Sequence, residues 1–248
     1  MNRNEFHKQF KTPGPVVLPV IHVLDSIRTC KNVEVLLEAG VPGCFLINHD
    51  FAPEQFLPII KDTRTAFSSL WMGVNFLAVT GKDAFPILGQ LQAEGCQVDA
   101  YWADDACIDE DSSNTEAIAI AEARQESGWN GLYFGGTAFK KQREIAPNRY
   151  ADAAREACKF MDVITTSGVA TGQEADLGKL KTFRVAIGER PLAVASGLSP
   201  ENAKDYADVD CFMIATGINE PGNFYDIDPV RLAELMFITR SLSKGIPS

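Results

Sequence analysis

PLAVASGLSPENAKDYA (191–207) and VDCFMIATGI (209–218) each show an apolar strand pattern that runs directly into a small turn with a hydroxyl residue and a glycine. The two turns are Ser196-Gly197 and Thr216-Gly217. In a phosphate-binding (β/α)8 barrel, turns of this kind follow the seventh and eighth strands. Backbone N–H groups of a glycine turn that opens a helix point outward without partners, so they can hold an anion. The pair predicts such a barrel, although each turn by itself is also compatible with an ordinary, well-capped βα connection.

The rest of the chain repeats the same strand-then-helix pattern, with one repeat in about 30 residues. The predicted strands are 16–22, 43–48, 70–76, 97–103, 131–136, 162–166, 191–196 and 209–215. The predicted helices are 30–39, 53–67, 82–95, 114–127, 149–160, 173–187, 200–207 and 228–243. Because no linker or charge run divides the pattern, we predict one α/β domain over residues 1–248, a (β/α)8 TIM barrel of the ribulose-phosphate-binding type with residues 1–14 as an N-terminal extension.

The charge balance limits the partners. The 248 residues include 23 basic and 33 acidic side chains, which gives a formal charge of −10. Because nucleic acid and anionic membranes attract a basic surface, we expect neither as a partner. A small phosphorylated metabolite stays compatible, since a local group of N–H donors acts at short range. The sequence has no apolar run of the roughly 20 residues that a membrane helix needs and no signal-peptide pattern, so we expect a cytoplasmic protein.

Polar side chains at the carboxyl ends of the predicted strands define a candidate catalytic site. Function concentrates at this end of a barrel because the βα loops surround one mouth. A histidine with a nearby carboxylate can act as a general base, and a lysine can form a Schiff base or an ion pair. The alternatives are a structural, hydrogen-bonded histidine and a surface lysine. The candidate catalytic residues are His22, Asp25, Asn48, Asp104 and Lys140, with His49 beside Asp50 as a second histidine candidate.

The segment Thr166–Gln173 has two glycines four residues apart and hydroxyl groups around them, which suits a loop that closes over a ligand. The candidate phosphate- or ligand-binding residues are Asn75, Thr166, Gly168, Thr171, Gly172, Ser196, Gly197, Ala215, Thr216 and Gly217.

The cofactor motifs are missing from the sequence. The loop lacks the Gly-Lys-Ser/Thr ending of a nucleotide P-loop and no Gly-x-Gly-x-x-Gly follows a strand, so we predict no ATP or NAD cofactor. No His-x-His or His-Glu-x-x-His spacing marks a metal site, so we predict none, and a divalent metal held by the acidic groups of the mouth is the alternative.

Three segments in the second half of the chain resemble those of a known family. TTSGVATGQEADLGKLKTFR (165–184) is similar to its T-G-x-x-T-G segment, ASGLSPENAKDYA (195–207) to its G-S-G-[VL]-x-P-E-N segment, and 214–236 to its G-T-…-N-x-V-D-P-x-R ending. The family is the BtpA family, which is named for a photosystem I biogenesis protein and includes the sugar-cluster protein SgcQ. Weaker similarity covers PVIHV (19–23), INHDF (47–51) and GVNFL (73–77). The resemblance implies a phosphate-binding barrel and lends no established reaction.

The departures from the family pattern fall at the predicted mouth. The chain has Ile47 where the family has an acidic residue and Gly136 where an acidic or polar group is expected, although Lys140 is retained. Two hypotheses follow. The first is an enzyme that acts on a sugar phosphate or phosphoribosyl compound as an isomerase, lyase or nucleosidase-like catalyst, and the second is a non-catalytic binding or assembly protein.

A phosphoribosylanthranilate isomerase-like activity is a further alternative. Enzymes of that kind are expected to have a cysteine as base at the end of the first strand and an aspartic acid as acid at the end of the fifth, where this chain has His22 and Gly136. The apolar last helix, LAELMFITRSL (232–242), also predicts a homo-oligomer.

Overall fold

The protein is described here by a computed structural model that covers residues 1–140, 142–170 and 172–242. Eight parallel strands form a closed barrel in sequence order, and the last strand pairs with the first. The strands are β1 Val16–Val23, β2 Gly43–Asn48, β3 Trp71–Asn75, β4 Ala100–Ala103, β5 Leu132–Gly136, β6 Val163–Ser167, β7 Leu192–Ala195 and β8 Cys211–Ile214. The helices are α1 Arg3–Phe10, α2 Ser26–Glu38, α3 Pro53–Ala66, α4 Gly81–Ala93, α5 Thr115–Ser127, α6 Tyr150–Ala157, α7 Leu177–Ile187 and α8 Pro229–Ser241. The predicted (β/α)8 barrel is confirmed.

The strands are buried on both faces because each separates two packed layers. On β1, Leu18 and Val20 point into the barrel, where they join a cluster that includes Phe45 and Phe134. Val17, on the opposite face, packs in a larger cluster between the strands and the surrounding helices. This alternation explains why the strands read as nearly continuous apolar runs in the sequence.

Two helices begin four residues away from their predicted first residues, and in both an aspartate fixes the start. The helix predicted over 30–39 begins at Ser26, because the Asp25 side chain accepts a hydrogen bond from the Arg28 N–H. The helix predicted over 173–187 begins only at Leu177, where Asp176 caps it. An aspartate at the N-cap satisfies an amide that the helix itself leaves unpaired. The last residue of the helix predicted over 228–243 lies outside the described residues.

The helix predicted over 200–207 is replaced by a 3-10 turn, Ala203–Tyr206. The Asn202 side chain accepts a hydrogen bond from the Ser199 N–H at 2.9 Å and donates one to the Gly197 carbonyl at 2.7 Å. Such side-chain bonds to nearby backbone compete with helix formation. The sequence Ser199-Pro200-Glu201-Asn202 therefore makes a compact turn, and the prediction of an α-helix over 200–207 was wrong.

The predicted N-terminal extension, residues 1–14, contains a helix that packs across the amino-terminal end of the barrel. Helix α1 buries Phe6 and Phe10, whose rings lie 6.2 Å from Phe134 and 5.0 Å from Trp71, respectively. Asp210 immediately precedes β8 and is fully buried. Its carboxylate pairs with Arg3 at 2.7 Å, His7 at 3.0 Å and Arg184 at 2.7 Å. The extension is therefore part of the packed structure.

The outer surface is relevant to two of the expectations from the sequence. Within the described residues, no helix combines the length and the apolar character needed to cross a membrane. On α8, Val230 and Phe237 are 74% and 75% exposed, so part of the apolar character of this helix faces outward. The homo-oligomer stays a prediction.

Candidate functional site

A cavity of about 70 Å³ lies at the carboxyl end of the barrel, at the mouth that the sequence analysis singled out. Its described walls come from the ends of strands on every side of the barrel and from the loops that follow them. The polar side chains that line it are His22, His49, Asp104, Lys140, Ser196 and Thr216. The larger apolar ones are Val20, Ile47, Leu77, Trp102, Met213 and Phe224.

His22, near the end of β1, is held by a residue from the other end of the chain. Its Nδ1 lies 2.9 Å from the carbonyl oxygen of Phe224, and the two rings stack at 3.8 Å with an angle of 5° between their planes. A carbonyl oxygen can only accept a hydrogen bond, so Nδ1 is assigned the proton. In the neutral ring, Nε2 is then an acceptor, and no described residue forms a hydrogen bond with it.

The surroundings of His22 keep its ring neutral. Burial lowers the pKa of His22 to about 4; the bond to Phe224 opposes this effect in part, and the charges of His49 and Lys140 add to it. Desolvation disfavours the charged form of an imidazole, which is why the pKa falls. At neutral pH, Nε2 is therefore available as a proton acceptor.

Phe224 lies in a segment between β8 and α8 that is tied to the body of the barrel. We call residues 219–228 the β8–α8 segment. The Asn219 side chain donates to the Phe224 carbonyl at 2.9 Å, and the Asn32 side chain of α2 donates to the Tyr225 carbonyl at 2.8 Å. Asp226 accepts two hydrogen bonds from the Arg28 guanidinium at 2.7 and 2.8 Å. These bonds fix the carbonyl that orients His22.

The sequence analysis missed Phe224 as a site residue. The segment has no helix or strand periodicity, so no pattern pointed to it. The available signal was the aromatic pair Phe224-Tyr225 inside an otherwise polar stretch, shortly before the Asp228 cap of α8.

The turns after β7 and β8 lie side by side on the cavity wall. Ser196 and Gly197 have φ angles of 77° and 69°, in the left-handed region. Within the described part of the chain, the backbone amides of Gly197, Leu198 and Gly217 donate no hydrogen bond. Gly197 and Leu198 line the cavity, whereas Gly217 is not part of its lining. Unpaired backbone N–H groups in turns are a general feature of anion-binding concavities.

Close backbone packing holds the two turns together. A Cβ at Gly197 would overlap the carbonyl group of Gln173, and a Cβ at Gly217 would overlap the carbonyl of Leu198. Neither turn leads directly into an α-helix, since only the 3-10 turn Thr216–Ile218 follows β8. From the sequence, each glycine turn was expected to open a helix. Without one, a helix dipole adds little attraction, and a bound anion would depend on the amides themselves.

Asp104 and Lys140 line the opposite side of the cavity, beyond β4 and β5. The Asn75 side chain donates to the Asp104 carboxylate at 3.2 Å, and the Gln142 side chain donates to the Asp104 backbone carbonyl. The Lys140 amide donates to the Ser167 hydroxyl at 2.8 Å. Asp104 and Lys140 therefore line the same cavity. Asn75 does not line it but is hydrogen-bonded to the Asp104 carboxylate.

Asp25 does not stand beside His22 as the sequence predicted. Its carboxylate caps α2 and is exposed, and the acidic side chain whose charge acts on His22 is Asp50. Capping explains why the side chain turns away from the mouth, because its oxygen must reach the Arg28 amide.

Three further candidates connect loops and do not line the cavity. The Asn48 side chain donates to the Phe51 carbonyl at 2.7 Å and accepts from the Leu77 amide at 3.1 Å. The Thr166 hydroxyl donates to the Ala138 carbonyl at 3.1 Å. Gly168 lies directly against the backbone of Gln173. Thr171 lies outside the described residues, and the remaining candidates, Gly172 and Ala215, line the cavity.

The floor of the cavity is the top of the barrel interior. Val20, Ile47, Trp102 and Met213 belong to the cluster that fills the barrel. The indole N–H of Trp102 is buried and has no hydrogen-bond partner among the described residues.

Among residues 1–140, 142–170 and 172–242, no group of three or more His, Cys, Asp or Glu side chains is arranged so that it could hold a metal ion.

Neither a family model nor a curated protein matches the chain by sequence. Solved structures do match it. The tryptophan synthase alpha chain from Legionella pneumophila is 14% identical over 98% of this chain and 97% of its own, with a TM-score of 0.64. Orotidine 5'-monophosphate decarboxylase from Methanocaldococcus jannaschii, complexed with the inhibitor BMP, is 14% identical over 94% and 100%, with a TM-score of 0.63. Phosphoribosyl anthranilate isomerase from Thermus thermophilus is 15% identical over 91% and 98%, with a TM-score of 0.60. At these identities the likeness shows the fold.

Proposed function

We propose that this protein is an enzyme that acts on a small phosphorylated metabolite, in the class of sugar phosphates or phosphoribosyl compounds, as an isomerase, lyase or nucleosidase-like catalyst. The observation on which the proposal depends is a neutral, oriented imidazole in the same cavity as the turn after β7. The Gly197 and Leu198 amides of that turn donate no hydrogen bond among the described residues, and the turn after β8 packs beside it. The amides bind the phosphate, and the imidazole acts on the carbon body of the substrate.

His22 is the proton acceptor in this proposal. Its Nδ1 keeps its proton, which is hydrogen-bonded to the Phe224 carbonyl, while Nε2 takes a proton from the substrate. With a pKa of about 4 the imidazole is almost entirely neutral at pH 7, and the same low pKa makes it a weaker proton acceptor than an unperturbed histidine. Asp104 and Lys140, across the cavity, are placed to donate or receive the second proton, or to stabilise charge that develops on the substrate.

Two proteins of similar fold support the proposal that the substrate has a phosphate group. Two of them are named for phosphorylated compounds, orotidine 5'-monophosphate and phosphoribosyl anthranilate. Phosphate groups in barrels of this kind bind at the loops after the seventh and eighth strands. The phosphoribosylanthranilate isomerase-like alternative is weaker, because a side chain at Gly136 would overlap the backbone of Asp104 and leaves no room for an acid there.

Membership in the BtpA family is part of the same proposal. It rests on the three segments that resemble the family, of which ASGLSPENAKDYA (195–207) contains the turn after β7. The family resemblance also motivates the alternative, a non-catalytic binding or assembly protein that kept the anion site.

Phosphate binding is the first test of the proposal. Thermal unfolding is measured with inorganic phosphate, ribose 5-phosphate, phosphoribosyl pyrophosphate, nucleoside monophosphates and unphosphorylated sugars. At about 100 times Kd a ligand adds about 2.7 kcal/mol, which moves the midpoint by about 5–10 °C in a chain of this size. We expect shifts with phosphorylated compounds only.

Gly197→Ala should abolish these shifts, because the new Cβ displaces the turn. Gly222→Ala is the matched control, since Gly222 also has a left-handed φ of 73° but nothing within 4 Å of its Cβ position. Equal shifts in both variants, or no shift in the unmodified protein, would refute the phosphate site. Phosphate binding with no turnover of any ester, unchanged by His22→Gln, would favour the non-catalytic alternative.

A further inference from the structure

The polar groups of the mouth cavity lie at its edges, and its floor is apolar. The phosphate-binding turns lie after β7 and β8, whereas Asp104 and Lys140 follow β4 and β5 across the barrel. A ligand held by its phosphate at the turns and extending toward Asp104 must pass over the floor. The floor is formed by the aliphatic side chains of Val20 and Ile47, the thioether side chain of Met213 and the ring system of Trp102. The indole N–H of Trp102 is buried.

The sides of this path combine apolar and polar side chains. Leu77 lies on one side of the cavity and Phe224 stacks on His22 at another. The two imidazoles, His22 and His49, pack edge to face with 4.8 Å between their centroids. A polyol crossing the floor would therefore bring several hydroxyl groups against hydrocarbon.

We propose that the substrate is a phosphate monoester with a short carbon body that has few hydroxyl groups, ending in a polar group that faces Asp104 and Lys140. The inference rests on the proposed function, because the phosphate at the turns sets the direction of the molecule. It narrows the class proposed above from phosphorylated sugars in general to phosphate esters with a hydroxyl-poor body.

The size of the cavity limits how much of the body is enclosed. An engineered protein cavity of about 150 Å³ accepts benzene. The mouth cavity is about 70 Å³, roughly half as large. A body of about four carbons fits within that volume, and a longer ligand would extend from the open mouth into solvent.

Hydroxyl groups of a ligand that lie against the apolar floor find no hydrogen-bond partner there. Moving a hydroxyl from water to an apolar surface costs free energy unless a new hydrogen bond replaces the lost one. Each methylene that leaves water for the same surface is favourable. A body without hydroxyls is therefore preferred over a polyol of equal length.

Two matched pairs of ligands test this preference on the whole protein. The pairs are n-propyl phosphate with glycerol 3-phosphate and n-butyl phosphate with erythritol 4-phosphate, and inorganic phosphate is the reference. Isothermal titration calorimetry measures Kd at several temperatures. We expect each alkyl ester to bind at least tenfold more tightly than its polyol partner, with a more negative heat-capacity change from apolar burial.

Val20→Thr places a hydroxyl in the floor with little change in shape. It should weaken n-butyl phosphate at least fivefold and leave inorganic phosphate unchanged, because the turns are untouched. Val16→Thr is the matched control, since Val16 is the same residue on the same strand, buried at the opposite end of the barrel and absent from the cavity lining. It should change neither affinity.

The outcomes separate this inference from the proposed function. If inorganic phosphate binds but a polyol phosphate binds as tightly as its alkyl partner, the hydroxyl-poor body is wrong and the proposed function stands. If the two valine variants lower n-butyl phosphate affinity equally, the floor is not the binding surface and the inference fails. If neither inorganic phosphate nor any of the four esters binds, the proposed function fails and the inference fails with it.

Discussion

His22 donates its Nδ1 proton to a backbone carbonyl and stacks on the ring of the residue that supplies it. The position of the histidine at a strand end was predicted from the sequence, but its tautomer was not. The hydrogen-bond partner lies 202 residues away along the chain, in a segment without periodicity, and no local pattern records such a contact. Its neutral state follows from burial, which exists only once the barrel has closed.

The low pKa of His22 predicts a pH dependence of stability. The pKa is lowered from 6.5 to about 4 in the folded protein, so the unfolded chain binds the proton more readily and stability falls as the pH drops from 6.5 to 4. The loss from this group is about 3 kcal/mol once the pH is below 4. Urea unfolding of the unmodified protein and His22→Gln, measured between pH 4 and 7, should show a shallower pH slope in the variant. Parallel curves would contradict the prediction.

At the scale of elements, the β8–α8 segment connects a remote helix to the candidate base. Asn32 on α2 donates to the Tyr225 carbonyl and accepts from the Ile227 amide at 3.1 Å, and it is 3% exposed. The geometry makes one buried side chain responsible for two backbone groups of the segment. If the hydrogen bonds of Asn32 are removed, the β8–α8 segment becomes less fixed. We therefore expect the orientation of His22 to change, although Asn32 forms no hydrogen bond with it.

Asn32→Ala should cost about 1–3 kcal/mol of stability, because it leaves buried backbone groups without partners. It should also reduce the fraction of His22 protonated at Nδ1. Ring ¹⁵N chemical shifts of labelled protein at neutral pH report the tautomer, and urea unfolding reports the stability. Asn130→Ala, at an exposed asparagine, is the control. An unchanged His22 spectrum in Asn32→Ala would show that the segment does not orient the base.

The elements differed in how well the sequence predicted them. The start of α8 was predicted to within one residue, because it depends on local features: the Asp228 side chain accepts hydrogen bonds from the Val230 and Arg231 amides, and Pro229 occupies the first turn. Ser199-Pro200 has a similar residue pattern but starts no α-helix, because the Asn202 side chain closes the turn on the Gly197 carbonyl instead. Helix α1 was not predicted, since a helix of 8 residues owes its stability to packing that the sequence does not display.

At the scale of the whole molecule, Asp210 joins the amino-terminal helix α1 to the last strand of the barrel and to α7. It is fully buried, and Arg3, His7 and Arg184 surround its carboxylate. Removing one partner of a buried ionic cluster leaves the other charges uncompensated. The free energy lost in this way is larger than the net free energy that the intact cluster contributes to stability. We therefore expect the largest loss of stability when Asp210 itself is changed.

Asp210→Asn should lower the free energy of unfolding by about 3 kcal/mol and release α1 from the barrel. Limited trypsin digestion, which cuts after Lys8 and Lys11 when the helix is undocked, measures the release, and urea unfolding measures the stability. Asp205→Asn, at an exposed aspartate, should change neither. Equal resistance to trypsin in both variants would show that the aromatic contacts alone hold α1.

The docking of α1 also sets an order of events during synthesis. Arg3 and Asp210 are 207 residues apart, so the helix leaves the ribosome long before its docking partner is made. Until β8 is complete, Phe6 and Phe10 have no finished surface to cover them, and contacts between such distant residues form late. A chain that stops short of Asp210 therefore keeps two phenyl rings near its amino terminus uncovered, a mark of incompleteness that chaperones and proteases can recognise.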